Sequence, residues 1–198
     1  MWAFCERTGT AFDTVATVGK VLGEEIWDDL PDDLLVDTIL GWKQQLELFL
    51  SSRKMRWNYV SGCSWTDAFW RTMLGDLIMS EYPLGRPFDV CRDRFDDFLM
   101  HRARNSLYIS LCDMVVNQAF LITECGYIGI GPPNTRAGDE VWVLFGGNTP
   151  FVLRKKDEKL ANAKCRERLF IGDAYVHGIM AGEAVVNCDG NETTVLLV

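Results

Sequence analysis

The character of the sequence changes at Ala119, and this change constrains the fold more than any other feature. Before it, hydrophobic residues recur at helical spacing, most clearly in segment 30–50, where the intervals are four, three, four and three residues. The residues of that pattern are Leu35, Ile39, Trp42, Leu46 and Phe49. After Ala119 come short runs of Val, Ile, Leu and Phe between Gly, Pro and Asn, which are typical of strands joined by turns. Because helices and strands are segregated along the chain, the order predicts an α+β fold.

A second helix is predicted to begin at Ser64, whose hydroxyl can accept from free amides while Asp67 stands three residues on. Its apolar face continues to Ile78, and we expect it to share one core with the first helix. The residues predicted to face that core are Phe69, Trp70, Met73 and Leu77. Weaker helical spacing follows over residues 92–101 and 107–118.

The β-rich end is predicted to be a small barrel-like or curved sheet. Its strand-like runs are residues 120–123, 127–130, 141–145, 151–153 and 169–171. Near the amino terminus, segment 2–18 suggests a strand, a turn around Gly9 and the start of a second strand. Two short strands alone are marginal, whereas the later strands have edges that need covering, so we expect the two regions to pair.

This pairing sets the expected domain organisation. Residues 1–118 hold the amino-terminal strands and the helical region, and residues 119–198 hold the β-rich region. Because segment 1–18 is expected to pair with the later strands, we predict that it forms one compact unit with residues 119–198.

Charge and cysteine usage narrow the class of protein. The formal net charge of -8 argues against a nucleic-acid partner, because binding to phosphates needs clustered Lys and Arg. The seven cysteines are scattered without short-spaced pairs, which favours reduced thiols in the cytoplasm. The start of the chain lacks a signal peptide pattern and no later run is long enough to cross a bilayer, so no membrane association is expected.

The chain has two histidines, His101 and His177, which limits acid/base chemistry. His177 stands two residues after Tyr175 with no marked nucleophile nearby, so a local hydrogen-bonding role is favoured over general-base catalysis. A Cys/His hydrolase stays open as an alternative, because the fold can bring a distant thiol to a histidine. Acid/base hydrolysis by the carboxylate pairs at 96–97 and 139–140 is equally open, since it requires burial or neighbouring charges that sequence does not reveal.

Cofactor motifs are not expected. Neither histidine forms a short-spaced pair with a cysteine, as a structural zinc site requires. The glycines of segment 126–131 precede Pro132 and Pro133, where a phosphate-binding helix would have to begin, so they are interpreted as turn glycines. The sequence therefore predicts no metal, no cofactor and no catalytic residue.

Four ordered blocks between Phe120 and Glu183 carry a family resemblance. They are FLITECGYIGIGP from Phe120, GDEVWVLFGG from Gly138, PFVLR from Pro150 and GDAYVHGIMAGE from Gly172. Weaker matches are GTAFDTV from Gly9 and AFWRT from Ala68. Together these segments resemble the carboxy-terminal part of fungal heterokaryon incompatibility (HET) proteins.

The resemblance implies a non-catalytic interaction or regulatory module that acts in allorecognition, vegetative incompatibility and the associated cell death. Its implied partner is another protein or an upstream effector domain. In the last block, Tyr175, His177 and Glu183 are the candidate binding residues. The motifs of the amino-terminal HET domain are absent from the sequence, which implies either a shortened paralogue or an incomplete gene product. A nonfunctional truncated fragment is a further alternative.

Overall fold

The computed structural model of the chain describes residues 5–23, 32–55, 58–78, 85–86, 89–156, 166–186 and 192–198. The helices are α1 (Asp32–Arg53), α2 (Trp65–Met73), α3 (Asp89–His101), α4 (Tyr108–Val115) and α5 (Glu183–Val186). The strands are β1 (Cys5–Val18), β2 (Ala119–Thr123), β3 (Ile128–Gly131), β4 (Glu140–Leu144), β5 (Phe151–Lys155), β6 (Arg166–Asp173), β7 (Tyr175–Val176) and β8 (Thr193–Leu197). The predicted α+β class is confirmed.

The helices share one apolar core, as the spacing predicts. Trp42 on α1 is 1% exposed and Phe69 on α2 is 3% exposed, and both rings pack against Phe120 of β2. The Trp42 indole also donates to the Lys20 carbonyl at 2.8 Å, which ties α1 to the end of β1. This core therefore joins the helical segment to the sheet.

The prediction that Leu77 belongs to this core is wrong, because its side chain is 37% exposed. Helix α2 ends at Met73, and Gly75 and Asp76 both adopt positive φ in the turn that follows. This turn breaks the 3.6-residue repeat, so helical spacing no longer predicts which way Leu77 points. Ser64 caps α2 as expected, accepting from the Asp67 amide at 3.0 Å.

Strand β1 is one continuous strand of 14 residues, which corrects the predicted strand, turn and second strand. Gly9 lies within it, opposite Leu144 on one side and Thr193 on the other. A Cβ at Gly9 would collide with the Val143 carbonyl oxygen. The glycine therefore serves a close approach of two strands and not a turn.

Strand β1 is the central strand of the sheet, because it pairs with β2, β4 and β8. One set of pairings runs from β1 through β4, β5, β6 and β8 and returns to β1, so five strands form a closed ring. A branch of β2, β3 and β7 extends from the end of β1, where Val15 to Val18 pair with β2 and a bulge lies between Val15 and Thr17. The expected pairing of the amino-terminal segment with the β-rich region is confirmed.

Buried charges hold the ring strands together. The Glu140 carboxylate accepts from Arg168 at 2.8 Å and from the Trp142 indole at 3.1 Å, and it pairs with Lys155 at 3.1 Å. Burial acts to raise the pKa of Glu140, but these donors outweigh it and hold the pKa below its ordinary value. Beside it, Asp139 accepts two hydrogen bonds from Arg154 at 2.7 and 2.9 Å.

None of the helices in the described ranges has the length and hydrophobicity to cross a membrane. Cys5, Cys63, Cys91, Cys112 and Cys125 form no disulfide, and segments 157–165 and 187–191, which hold the other two cysteines, lie outside the described residues.

Candidate functional site

The site is built around β7, the two-residue strand at the end of the sheet branch. β7 pairs with β3, placing Tyr175 opposite Ile130 and Val176 opposite Gly129. A Cβ at Gly129 would collide with the Tyr175 carbonyl oxygen, so this pairing depends on glycine. Immediately after β7, the His177 amide donates to the Ile128 carbonyl at 2.9 Å. The backbone of His177 is thereby fixed to the sheet.

Tyr59, from the segment between α1 and α2, holds the same residue from the other side. Its hydroxyl donates to the His177 carbonyl at 2.7 Å and accepts from the Ile128 amide at 3.1 Å. Burial raises the pKa of Tyr59 far above its ordinary value, so its hydroxyl stays protonated and remains a donor. The aromatic rings of Tyr59 and His177 lie 5.4 Å apart.

The His177 ring is oriented by Tyr175. The Tyr175 hydroxyl lies 2.8 Å from Nδ1 of His177. Burial raises the pKa of Tyr175, which keeps the phenol protonated, and burial lowers the pKa of His177, which favours the neutral imidazole. We assign the phenol as the donor to Nδ1, because Nδ1 is the acceptor within reach of its O–H among the described residues. The single proton of the neutral ring then lies on Nε2.

His177 lines a cavity of about 440 Å³, and its Nε2 has no hydrogen-bond partner among the described residues. Tyr175 and His177 line the cavity together with Met114 of α4 and Asp76 of the turn after α2. Glu183 lines it too, and its carboxylate accepts from the Ala181 amide at 2.8 Å at the start of α5. The structure therefore brings all three candidate residues, Tyr175, His177 and Glu183, to one cavity. Their role in binding stays a prediction.

The charges around His177 are mixed. Asp76 forms an ion pair with Arg71 at 2.8 Å, and the Arg71 guanidinium lies over the Trp70 ring. After burial, Asp76 and Glu183 act to raise the pKa of His177 and Arg71 acts to lower it, and the net shift is downward. Desolvation therefore decides the charge state, and the ring presents a neutral donor to the cavity.

A second cavity of about 400 Å³ lies next to the first. The two share Tyr175, Met114 and Met180 in their linings. The second is lined by the carboxylates of Asp113 and Asp173 and, among the described lining residues, by no Lys, Arg or His. No local sequence pattern marks these residues, because helix α4 and the end of β6 meet only in the folded chain.

The residues proposed for hydrolytic chemistry lie elsewhere or are engaged. The Cys63 thiol is 3.3 Å from the Ser61 hydroxyl, and no thiol hydrogen-bonds the His177 ring within the described part of the chain. Asp139 and Glu140 are held by Arg154 and Arg168 respectively. In the same described ranges, no group of three or more His, Cys, Asp and Glu residues is arranged to hold a metal ion. The arrangement is suited to binding through a donor and apolar contacts.

The chain is an α+β module in which a closed ring of strands packs beside a helical core. Comparison with known proteins identifies the family of this module. The model of the Het-6 beta-barrel domain matches residues 92–194, slightly more than half of the chain. The chain belongs to this family.

Among characterised proteins, the chain is similar to heterokaryon incompatibility protein 6, OR allele, of Neurospora crassa. The two are 40% identical over 76 residues, which are 38% of this chain and 10% of that protein. The aligned region therefore spans about a tenth of the relative's length. No solved structure matches the chain significantly.

Proposed function

We propose that the chain is a non-catalytic recognition module of a fungal heterokaryon incompatibility protein, and that the cavity at His177 binds a segment of a protein partner or effector domain. Membership of the Het-6 family supports a role in incompatibility. The observation that carries the proposal is the position of His177, which is nine-tenths buried, lines a cavity and is held at Nδ1 by the Tyr175 hydroxyl at 2.8 Å. In this role the module acts in allorecognition and in the cell death that accompanies it.

The anchoring of His177 supports a recognition role. Its amide, its carbonyl and Nδ1 are bonded to Ile128, Tyr59 and Tyr175 respectively. The free ring nitrogen is therefore held in one place before any ligand arrives, which reduces the ordering cost of binding. Met114 and Met180 line the same cavity, and their flexible side chains can adapt to an apolar group.

The hydrolase alternative has less support from the same geometry. A Cys/His enzyme needs its thiol within hydrogen-bond reach of the imidazole, and the group at that position is the Tyr175 phenol. An acid/base pair needs two carboxylates with separated pKa values facing a common space. Asp139 and Glu140 are instead neutralised by arginines of the β ring. We also propose a cytoplasmic location, which the free thiols of Cys5 and Cys125 favour.

Expression of the chain in pairs of Neurospora crassa strains that form stable heterokaryons tests this function. We expect the wild-type chain to lower the frequency of viable heterokaryons, and His177→Gln and Tyr175→Phe to abolish the effect. His101→Gln, which changes the exposed histidine of α3, is the matched control and should act like the wild type. Thermal unfolding of each purified variant separates loss of recognition from loss of fold.

Two results would contradict the proposal. The first is a wild-type chain that leaves heterokaryon viability unchanged. The second is a pair of folded cavity variants, His177→Gln and Tyr175→Phe, that lower viability as strongly as the wild type. Turnover of ester or peptide substrates that disappears in His177→Gln would favour the hydrolase instead.

A further inference from the structure

We infer that the two cavities beside Tyr175 form one groove for an extended peptide with a basic side chain, which lies between Asp113 and Asp173 while His177 Nε2 donates to a peptide carbonyl. This inference rests on the proposed function and specifies the chemistry of the partner. We call the cavity at Asp113 and Asp173 the acidic lobe and the cavity at His177 the histidine lobe. Neither motif analysis nor family membership assigns such a groove.

The lobes are adjacent because they have three lining residues in common. Tyr175, Met114 and Met180 contribute to both linings, so these side chains lie where the two lobes border each other. The volumes of about 400 and 440 Å³ each fall within the size range of pockets that hold small ligands. A ligand that fills both must be elongated and must cross the Tyr175 side chain, as an extended peptide does.

Charge fixes which part of the peptide lies in which lobe. Asp113 and Asp173 are exposed carboxylates, and the described lining of the acidic lobe holds no cation to neutralise them. In the histidine lobe, Asp76 is neutralised by Arg71, and Arg86 lines the cavity along with Glu183. A basic side chain is therefore favoured in the acidic lobe. In the histidine lobe, the positive charge of Arg86 disfavours a second basic side chain.

The His177 ring supplies a second and independent indication of a ligand. The residue is only 9% exposed, and within the described ranges no protein group hydrogen-bonds Nε2. Nε2 is therefore open to an acceptor from outside the chain, and the backbone carbonyl of a peptide lying along the groove supplies one. Met114 and Met180 between the lobes provide a polarisable apolar surface for the side chains that flank the basic residue.

Isotope-labelled methionine methyl groups allow a direct test by NMR on the full chain. The probes are three capped peptides, acetyl-Ser-Leu-X-Leu-Ser-amide, in which X is arginine, lysine or glutamate. We expect the arginine and lysine peptides to shift the Met114 and Met180 signals saturably, and the glutamate peptide to bind at least about tenfold more weakly. The affinity for the basic peptides should fall as salt is raised.

Variants locate the charge recognition. Asp173→Asn should lower the affinity for the arginine peptide by about three- to tenfold, and Asp113→Asn should lower it similarly. Asp93→Asn removes an exposed aspartate of α3 that lines neither lobe, and it should leave the affinity unchanged. His177→Gln should lower the affinity for all three peptides by the same factor, because it removes a contact to the peptide backbone and not to the variable side chain.

Equal affinity for the arginine and glutamate peptides, or full affinity in Asp113→Asn and Asp173→Asn, would overturn the inference. If none of the peptides shifts the two methionine signals, the groove does not bind extended peptides and the inference is also wrong. Each of these results leaves the heterokaryon test of the cavity variants standing on its own. The partner chemistry can therefore fail while the proposed function holds.

Discussion

The Tyr59 hydroxyl donates to the His177 carbonyl at 2.7 Å and joins two residues that are 118 positions apart in the chain. The same oxygen accepts from the Ile128 amide at 3.1 Å. One phenol thus satisfies a carbonyl and an amide of two neighbouring backbone segments at the cavity. The helical half of the chain therefore helps to position a candidate residue that lies in the β-rich half.

Replacing Tyr59 by Phe keeps the ring but leaves the His177 carbonyl and the Ile128 amide without their partner. We expect the free energy of unfolding to fall by about 2 to 4 kcal/mol, because buried polar groups lose their hydrogen bonds. Denaturant unfolding measures the change. Tyr127→Phe is the control, since the Tyr127 hydroxyl has no hydrogen-bond partner among the described residues, and it should cost less than about 1 kcal/mol. Equal losses in both variants would show that the Tyr59 hydrogen bonds are not stabilising.

His177 should make stability depend on pH. Burial lowers its pKa in the folded chain, so the unfolded chain binds the proton at higher pH. The contribution of His177 to the free energy of unfolding is complete above the pKa of the unfolded chain, about 6.5. It is lost as the pH falls through that value toward the pKa of the folded chain. The facing charges are Asp76, Arg71 and Glu183, and the pKa of His177 is lowered with their effects included. Unfolding free energies measured across this window should decline with acidification in the wild type and decline less in His177→Gln. His101→Gln should retain the full decline.

The ion pair of Asp139 and Arg154 should contribute more than surface pairs do. Asp139 is 2% exposed, so Arg154→Leu removes the guanidinium that donates two hydrogen bonds to a buried carboxylate and leaves it the Arg136 amide. Breaking a buried pair costs several kcal/mol, and because Arg154 is partly exposed we expect about 2 to 3 kcal/mol. Arg53→Leu breaks a pair with Glu124 in which both side chains are nearly half exposed, and it should cost less than about 1 kcal/mol. Chemical denaturation of the two variants side by side tests this, and similar costs would contradict it.

Gly129 should not tolerate a side chain. A Cβ there meets the Tyr175 carbonyl, so Gly129→Ala should push β7 from β3 and destabilise the chain by about 1 to 3 kcal/mol. Gly41→Ala is the matched change, since its Cβ would have no neighbour within 4 Å and lies within α1. It should stabilise by about 0.5 to 1 kcal/mol through helix propensity. Thermal unfolding distinguishes the expected loss of stability from the expected gain. An unchanged stability of Gly129→Ala would show that β3 and β7 can move apart at little cost.

The sequence predicts those parts of the fold that depend on local periodicity. The apolar repeat identifies α1 and most of its buried face, and turn residues delimit β2 to β5. Strand β7 has only two residues and shows no alternation, so it was not predicted. The ring closes through a parallel pairing of β6 with β8, which no local pattern encodes. The exposed Leu77 shows that helical spacing no longer predicts which side chains are buried once a turn with positive φ has ended the helix.

The candidate site is predictable to a similar extent. Family-like sequence blocks single out Tyr175, His177 and Glu183, and all three line one cavity. Asp76 and Met114 are not foreseen, because a turn after α2 and the last turn of α4 reach the cavity only through helix packing. Sequence spacing identifies residues near one another in the chain, whereas half of this cavity comes from distant elements.

The recognition role of the cavity depends on a neutral His177 ring that Tyr175 holds with its proton on Nε2. NMR of the imidazole nitrogens near about pH 7 measures the charge and the tautomer of this one residue directly. We predict a neutral ring in the single Nε2–H tautomer for the wild type, and a mixture of tautomers in Tyr175→Phe, which lacks the 2.8 Å contact. A protonated ring at that pH, or a wild-type spectrum that already shows both tautomers, would contradict the account.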